Sequence, residues 1–117
     1  MDDRTLLELA AKAAGLEGYS NSVGSGPIYR KFHTGLQDWV RWNPLTDDGD
    51  ALRLAVRLHI SIDHNKPACQ QRYVVAERCG CEMMYEPVCA VEDVDDETDR
   101  DAATRRAIVR AAAEMAK

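Results

Sequence analysis

The chain has 117 residues, enough for one domain whose core folds without a metal or a disulfide. Hydrophobic residues make up 45% and charged residues 30%, a globular balance that excludes disorder as the whole state. The formal net charge of -5 excludes the clustered cationic footprint that a phosphate backbone rewards, so direct nucleic-acid binding is not expected. An acidic surface suits solubility or a basic protein partner.

No 18-residue apolar run is present, so no membrane contact is expected. The start Met1-Asp2-Asp3-Arg4 lacks the basic and apolar regions of a signal peptide. A cytoplasmic protein is expected, with Cys69, Cys79, Cys81 and Cys89 as thiols.

The spacing predicts a first helix over Asp3 to Ala14, with Leu6, Leu9, Ala10 and Ala13 on one face. Asp2 or Asp3 caps its start, and Gly15 is suited to the left-handed residue past its end. Residues 18–27, rich in glycine and serine, read as a loop. A hairpin follows: Ile28 to His33, a turn at Thr34-Gly35, and Leu36 to Trp42. Pro44 ends its second strand.

A central helix is predicted from Asp47 to Leu58, with Thr46 or Asp47 as N-cap and Asp47, Asp48 and Asp50 at the positive end. Ala51, Leu54, Ala55 and Leu58 form its apolar line. Leu52 and Val56 widen that line, which predicts burial over more than half the circumference. Arg53 and Arg57 mark the exposed stripe, with Asp50 in reach of Arg53. His59 to His64 fits either a helix extension or a strand, with Ile60 and Ile62 on one side.

Asn65-Lys66-Pro67 reads as a turn, Arg72 to Arg78 as a strand, and Val88 to Val91 as its partner beyond Cys79-Gly80-Cys81 and Pro87. Residues 92–101 are an acidic run read as a solvated loop. A last helix spans Ala102 to about Ala116. Its apolar face is Thr104, Ala107, Ile108, Ala111, Ala112 and Met115, with Arg106, Arg110 and Glu114 toward solvent. No internal repeat or domain-length linker is visible. The expected fold is α+β, one domain over 1–117, with an antiparallel sheet of about four strands layered with three helices in the order α-β-β-α-β-β-α.

Few residues suggest chemistry. The four cysteines, with His59 or His64, are soft ligands, but a lone C-x-C lacks the paired knuckles of structural zinc sites. Packed or idle thiols are the favoured reading. His33, His59 and His64 lie in no nucleophile or metal motif, and His59 reads as a satisfied core histidine. There is no G-x-S-x-G, H-E-x-x-H, C-x-x-C or phosphate-cradling glycine loop. Asp47, Asp48 and Asp50 lack a calcium-loop register and read as caps.

No catalytic residue, metal or cofactor is assigned, and a non-enzymatic protein is expected. Candidate binding residues are Trp39 and Trp42, together with Asp93, Asp95, Asp96 and Glu97 of the acidic run. Tryptophan is enriched at interfaces. The two indoles are nonetheless read mainly as covering the core side by side, Trp42 the more buried.

The segment Trp42-Asn43-Pro44-Leu45-Thr46-Asp47-Asp48-Gly49-Asp50-Ala51-Leu52-Arg53-Leu54-Ala55-Val56 resembles a motif of small proteins of tailed phages and prophages. The opening Leu6-Leu7-Glu8-Leu9-Ala10-Ala11-Lys12-Ala13-Ala14-Gly15 and the ending from Ala102 to Glu114 resemble it too. Together they are similar to the phage ABA-sandwich domain family. The resemblance implies a phage or prophage origin, a bacterial host cytoplasm and a sheet between helical layers. It brings no activity and no site residues, and residues 65–91 match no pattern of that family.

The expected function is an accessory protein that binds a host or phage protein, for example a defence component such as a CRISPR effector, with a homodimer possible. The alternative is a small-molecule, nucleotide or zinc-binding protein, using the start of the central helix or the cysteines.

Overall fold

A computed structural model describes residues 2–19, 28–30, 39–64, 72–78 and 87–116, the side chains of 17–19, 28–30 and 39–41 excepted. The turns expected at Thr34-Gly35 and Asn65-Lys66-Pro67, as well as His33, Cys69, Cys79 and Cys81, lie outside the described residues. The elements run α1 (Asp3–Ala14), β1 (Glu17–Tyr19), β2 (Ile28–Arg30), β3 (Trp39–Arg41), α2 (Asp48–Leu58), β4 (Ser61–His64), β5 (Tyr73–Arg78), β6 (Val88–Asp93), a 3-10 turn (Glu97–Asp99) and α3 (Arg100–Ala116). The α+β class and the three helices are as predicted. The strands divide into two antiparallel three-stranded sheets, β1-β2-β3 and β4-β5-β6.

Asp2 caps α1 by accepting from the Thr5 amide at 2.9 Å, and Asp47 caps α2 by accepting from the Asp50 amide at 2.8 Å. Both helices end in the same way. Gly15, at φ 78°, and His59, at φ 57°, are left-handed. The Leu16 amide donates to Ala11 O at 2.9 Å and the Ile60 amide to Ala55 O at 2.8 Å, the six-to-one bond of a Schellman motif. One residue later each chain enters a strand, at Glu17 and at Ser61.

The buried residues correspond as well: Leu7, Ala10, Ala11 and Ala14 in α1 match Ala51, Leu54, Ala55 and Leu58 in α2. Each of these two helices is thus followed by a three-stranded antiparallel sheet.

These ends correct two expectations. Glu17–Tyr19 is a strand and not the start of a loop. His59 is exposed at a helix end, and histidine is among the non-glycine residues enriched in the left-handed region. It is no core histidine.

The core is organised by α3. Ala107, Ile108, Val109, Ala111, Ala112 and Ala113 are each no more than 2% exposed, because α3 packs on α1 and α2 as well as on β5 and β6. Four alanines in that stretch allow close approach of the surrounding backbones, at the cost of little side-chain entropy. Val74, Ala76 and Ala90 face α3 from the sheet, and Val94 and Trp42 complete the cluster.

The layers therefore run from the β4-β5-β6 sheet to α3 and then to α1 and α2. Among the described residues this sheet carries a helix on one face only, whereas the resemblance implies helices on both.

α2 is less buried than its composition suggests. Leu52 is 60% and Val56 67% exposed, so only the line Ala51, Leu54, Ala55 and Leu58 is covered. Arg53 meets Asp50 at 2.7 Å, as its spacing predicts. Arg57 reaches back to donate from Nε to Ala14 O, capping an orphan carbonyl of α1.

The two helix ends generate a paired prediction. Gly15→Ala places a Cβ at positive φ and is expected to lower unfolding free energy by about 1 kcal/mol. His59→Gly relieves the same strain and is expected to change stability in the opposite sense, by up to about 1 kcal/mol. Urea titration of both variants checks the signs. Ala111→Leu overpacks the fully covered side of α3 and is expected to cost about 1–3 kcal/mol in the same assay.

Candidate functional site

The predicted binding residues do not come together. Trp42 is 7% exposed and belongs to the core, so its indole is committed to the interior. Trp39 lies in β3, its side chain outside the described residues. Trp42 lies just past β3, which ends at Arg41.

Asp93, Asp95, Asp96 and Glu97 are all exposed. The run they belong to is more ordered than a solvated loop. Glu92 and Asp93 finish β6, Glu97–Asp99 form a 3-10 turn and Asp101 lies in the first turn of α3. Asp96 caps the turn, accepting from the Thr98 amide at 3.1 Å. Glu97 accepts from Arg100 Nε at 2.8 Å and lies 3.7 Å from Arg72. Asp93 and Asp95 have no ion pair or hydrogen bond among the described residues.

The Arg100 guanidinium holds several elements. It donates to Glu97 and to Tyr73 O at 3.3 Å, and its Nη1 lies 3.0 Å from His64 Nδ1. The hydrogen bond from Arg100 holds the Glu97 carboxyl below its ordinary value, and Glu97 in turn raises Arg100. The Asp2 carboxyl is lowered chiefly by its bonds from Thr5.

The remaining α3 arginines act as cross-links, a role that a reading of them as solvated residues misses. Arg105 donates from Nε to Leu45 O at 2.9 Å and pairs with Asp48 of α2. Arg106 pairs with Asp3 of α1 at 3.0 Å. Arg110 reaches β6, donating from Nη1 to Glu92 Oε1 at 2.8 Å and to Val91 O at 2.9 Å.

Around Arg110 lie two grooves. One groove of about 490 Å³ is lined by Leu6, Glu92, Arg106, Arg110 and Glu114. A second of about 270 Å³ is lined by Pro87, Val88, Cys89, Ala90, Arg110 and Glu114. Sharing Arg110 and Glu114, they run along the outer edge of β6.

The alternative sites gain little. The three aspartates at the start of α2 are engaged: Asp47 caps, Asp48 pairs with Arg105, and Asp50 accepts from the Asn43 amide at 3.0 Å besides binding Arg53. Cys89 is an exposed free thiol. Among the described residues no three histidine, cysteine or acidic side chains gather as a metal site, and no helix is long and apolar enough to cross a membrane. No model of a known protein family, no curated protein and no solved structure matches the chain.

The lowered Glu97 carboxyl gives a pH prediction. A carboxylate depressed on folding adds stability above its unfolded value, ordinarily 4.5, and that stability is lost as pH falls through the folded value. Glu97→Gln removes this contribution. The variant is expected to lose less stability than the wild type between about pH 5 and about pH 3, read as the midpoint of thermal unfolding at each pH.

Proposed function

We propose that the protein is a non-enzymatic accessory factor of phage or prophage origin that acts by binding a basic segment of a host or phage protein. The observation that carries this reading is the exposed acidic strip from Asp93 through Asp95 and Asp96 to Asp101, which follows in sequence on Glu92 of the groove beside β6. Exposed carboxylates cost little to keep in water and attract a cationic partner over a Debye length of about 8 Å at physiological salt. Such a field accelerates encounter and selects against acidic partners. Two of the strip's carboxylates, Asp93 and Asp95, have no internal cation among the described residues, so they are open to an external one.

Affinity capture from bacterial lysate, with and without phage infection, tests the reading. The wild type is expected to retain a stoichiometric basic protein whose recovery falls as salt rises. A variant carrying Asp93→Asn, Asp95→Asn and Asp96→Asn is expected to recover several-fold less of it, since each rim charge contributes modestly. Equal recovery by the two proteins, or no stoichiometric partner, overturns the proposal.

A further inference from the structure

The ladder between β5 and β6 determines which backbone groups of β6 face outward. The Val94 amide donates to Arg72 O at 2.9 Å, which makes Arg72 and Val94 a bonded pair in register with Tyr73↔Asp93. Bonded and non-bonded pairs alternate along an antiparallel ladder. Val74↔Glu92, Ala76↔Ala90 and Arg78↔Val88 are therefore the bonded pairs. It follows that the N–H and C=O groups of Cys89, Val91 and Asp93 point away from β5. The bond from Arg110 to Val91 O agrees with this orientation.

β6 is the terminal strand of its sheet, and no described strand pairs with that outer side. An unpaired edge is a template for another strand. The grooves lined by Leu6, Glu92, Arg106, Arg110 and Glu114, and by Pro87 to Ala90, lie along it.

From these observations we infer that β6 receives an extended, basic segment of a partner protein as an added strand, with Arg110 as the latch that covers the edge until the segment arrives. The inference rests on the protein-binding reading above and specifies its mode. Main-chain bonds to Cys89, Val91 and Asp93 supply the affinity, and side chains at every second position supply selectivity. Val91, 48% exposed, takes an apolar residue opposite. Asp93, two residues on and on the same face, takes a lysine or arginine; opposite charges across strands are favourable. A second copy of this chain suits the edge less well, because each copy carries the same acidic strip and a net charge of -5.

The incoming strand must take Val91 O from Arg110, which keeps Glu92 as its other partner. Arg110 is thus predicted to oppose binding even though it lines the site. Removing a positive charge favours a cationic peptide in any docking mode, so strand addition is distinguished by Val91→Pro and by hydrogen exchange.

The test uses a capped peptide, Lys-Thr-Val-Thr-Lys-Thr-Val-Thr-Lys, titrated into the intact protein by calorimetry, with glutamate in place of lysine as control. Binding of the lysine peptide alone is expected. Val91→Pro keeps the β5–β6 ladder, since the Val91 amide is not part of it, but removes the outward donor; affinity is expected to fall about tenfold or more. Arg110→Ala is expected to raise affinity about threefold or more by releasing Val91 O, with or without the proline variant in hand. Hydrogen exchange on the wild type adds an independent readout: peptide is expected to slow the amides of Cys89, Val91 and Asp93 together.

If Val91→Pro binds equally while Asp93→Asn binds less, docking is electrostatic and strand addition is overturned while the protein-binding reading stands. Absence of any peptide binding overturns strand addition by basic segments, and the lysate capture then decides the broader reading separately. Self-association of the wild type that Val91→Pro abolishes overturns the choice of partner in favour of a second copy.

Discussion

The close packing of α3 is the constraint on which the rest of the structure depends. A helix covered on one side by two helices and on the other by a sheet has no wide polar face left. The stretch from Ala107 to Ala113 accordingly has one exposed residue, Arg110. Larger side chains there would hold the layers apart and leave voids along Val74 and Ala90, and an interior at crystal-like density does not tolerate such gaps. Small residues bring α1, α2, β5 and β6 onto one axis. The apolar gain then comes from their neighbours, Leu6, Leu7, Leu54 and Val74, each contributing about 1.5–3 kcal/mol when fully covered.

The arginines of α3 complete what the alanines begin. Arg100 ties it to β5 and the 3-10 turn, Arg105 to the entry of α2, Arg106 to the start of α1 and Arg110 to β6. Each salt bridge has an exposed partner and individually adds little. Their value lies in orientation: bonds to Tyr73 O, Leu45 O and Val91 O fix the helix's rotation against three separate segments. An alanine-rich face alone would define that rotation poorly, since it has few knobs to interlock.

Much of this was legible in the residues. Period and caps located all three helices, because aspartate before the apolar line and glycine after it act locally. The β5–β6 pair was legible from its β-branched residues and the breaks around it. What escaped notice depends on tertiary context. β1 is short, and its glycine matches a loop composition. The Schellman end of α2 escaped because it is built with His59, where α1 uses Gly15. Leu52 and Val56 misled since apolar composition cannot say which side of a helix finds a neighbour. Of the binding residues, the four acidic positions proved exposed, while Trp42 went to the core for the reason that made it conspicuous: it adjoins the helix it packs under.

The groove beside β6 had no signature in the sequence at all. It arises because the alanine spine holds α3 close to the sheet while Arg110 and Glu114, the exposed residues on that part of the helix, stand beside β6. An exposed edge next to a long acidic run poses a problem for any chain, since unpaired amides and carbonyls invite aggregation. Two devices limit it here. The carboxylates at Asp93 and Asp95 repel like copies, and Arg110 occupies the central carbonyl at Val91. Both devices are selective as well as protective: repulsion admits cations, and a single hydrogen bond is weak enough to be exchanged for a ladder. In this way the features that keep the edge quiet also define the chemistry of a segment able to occupy it.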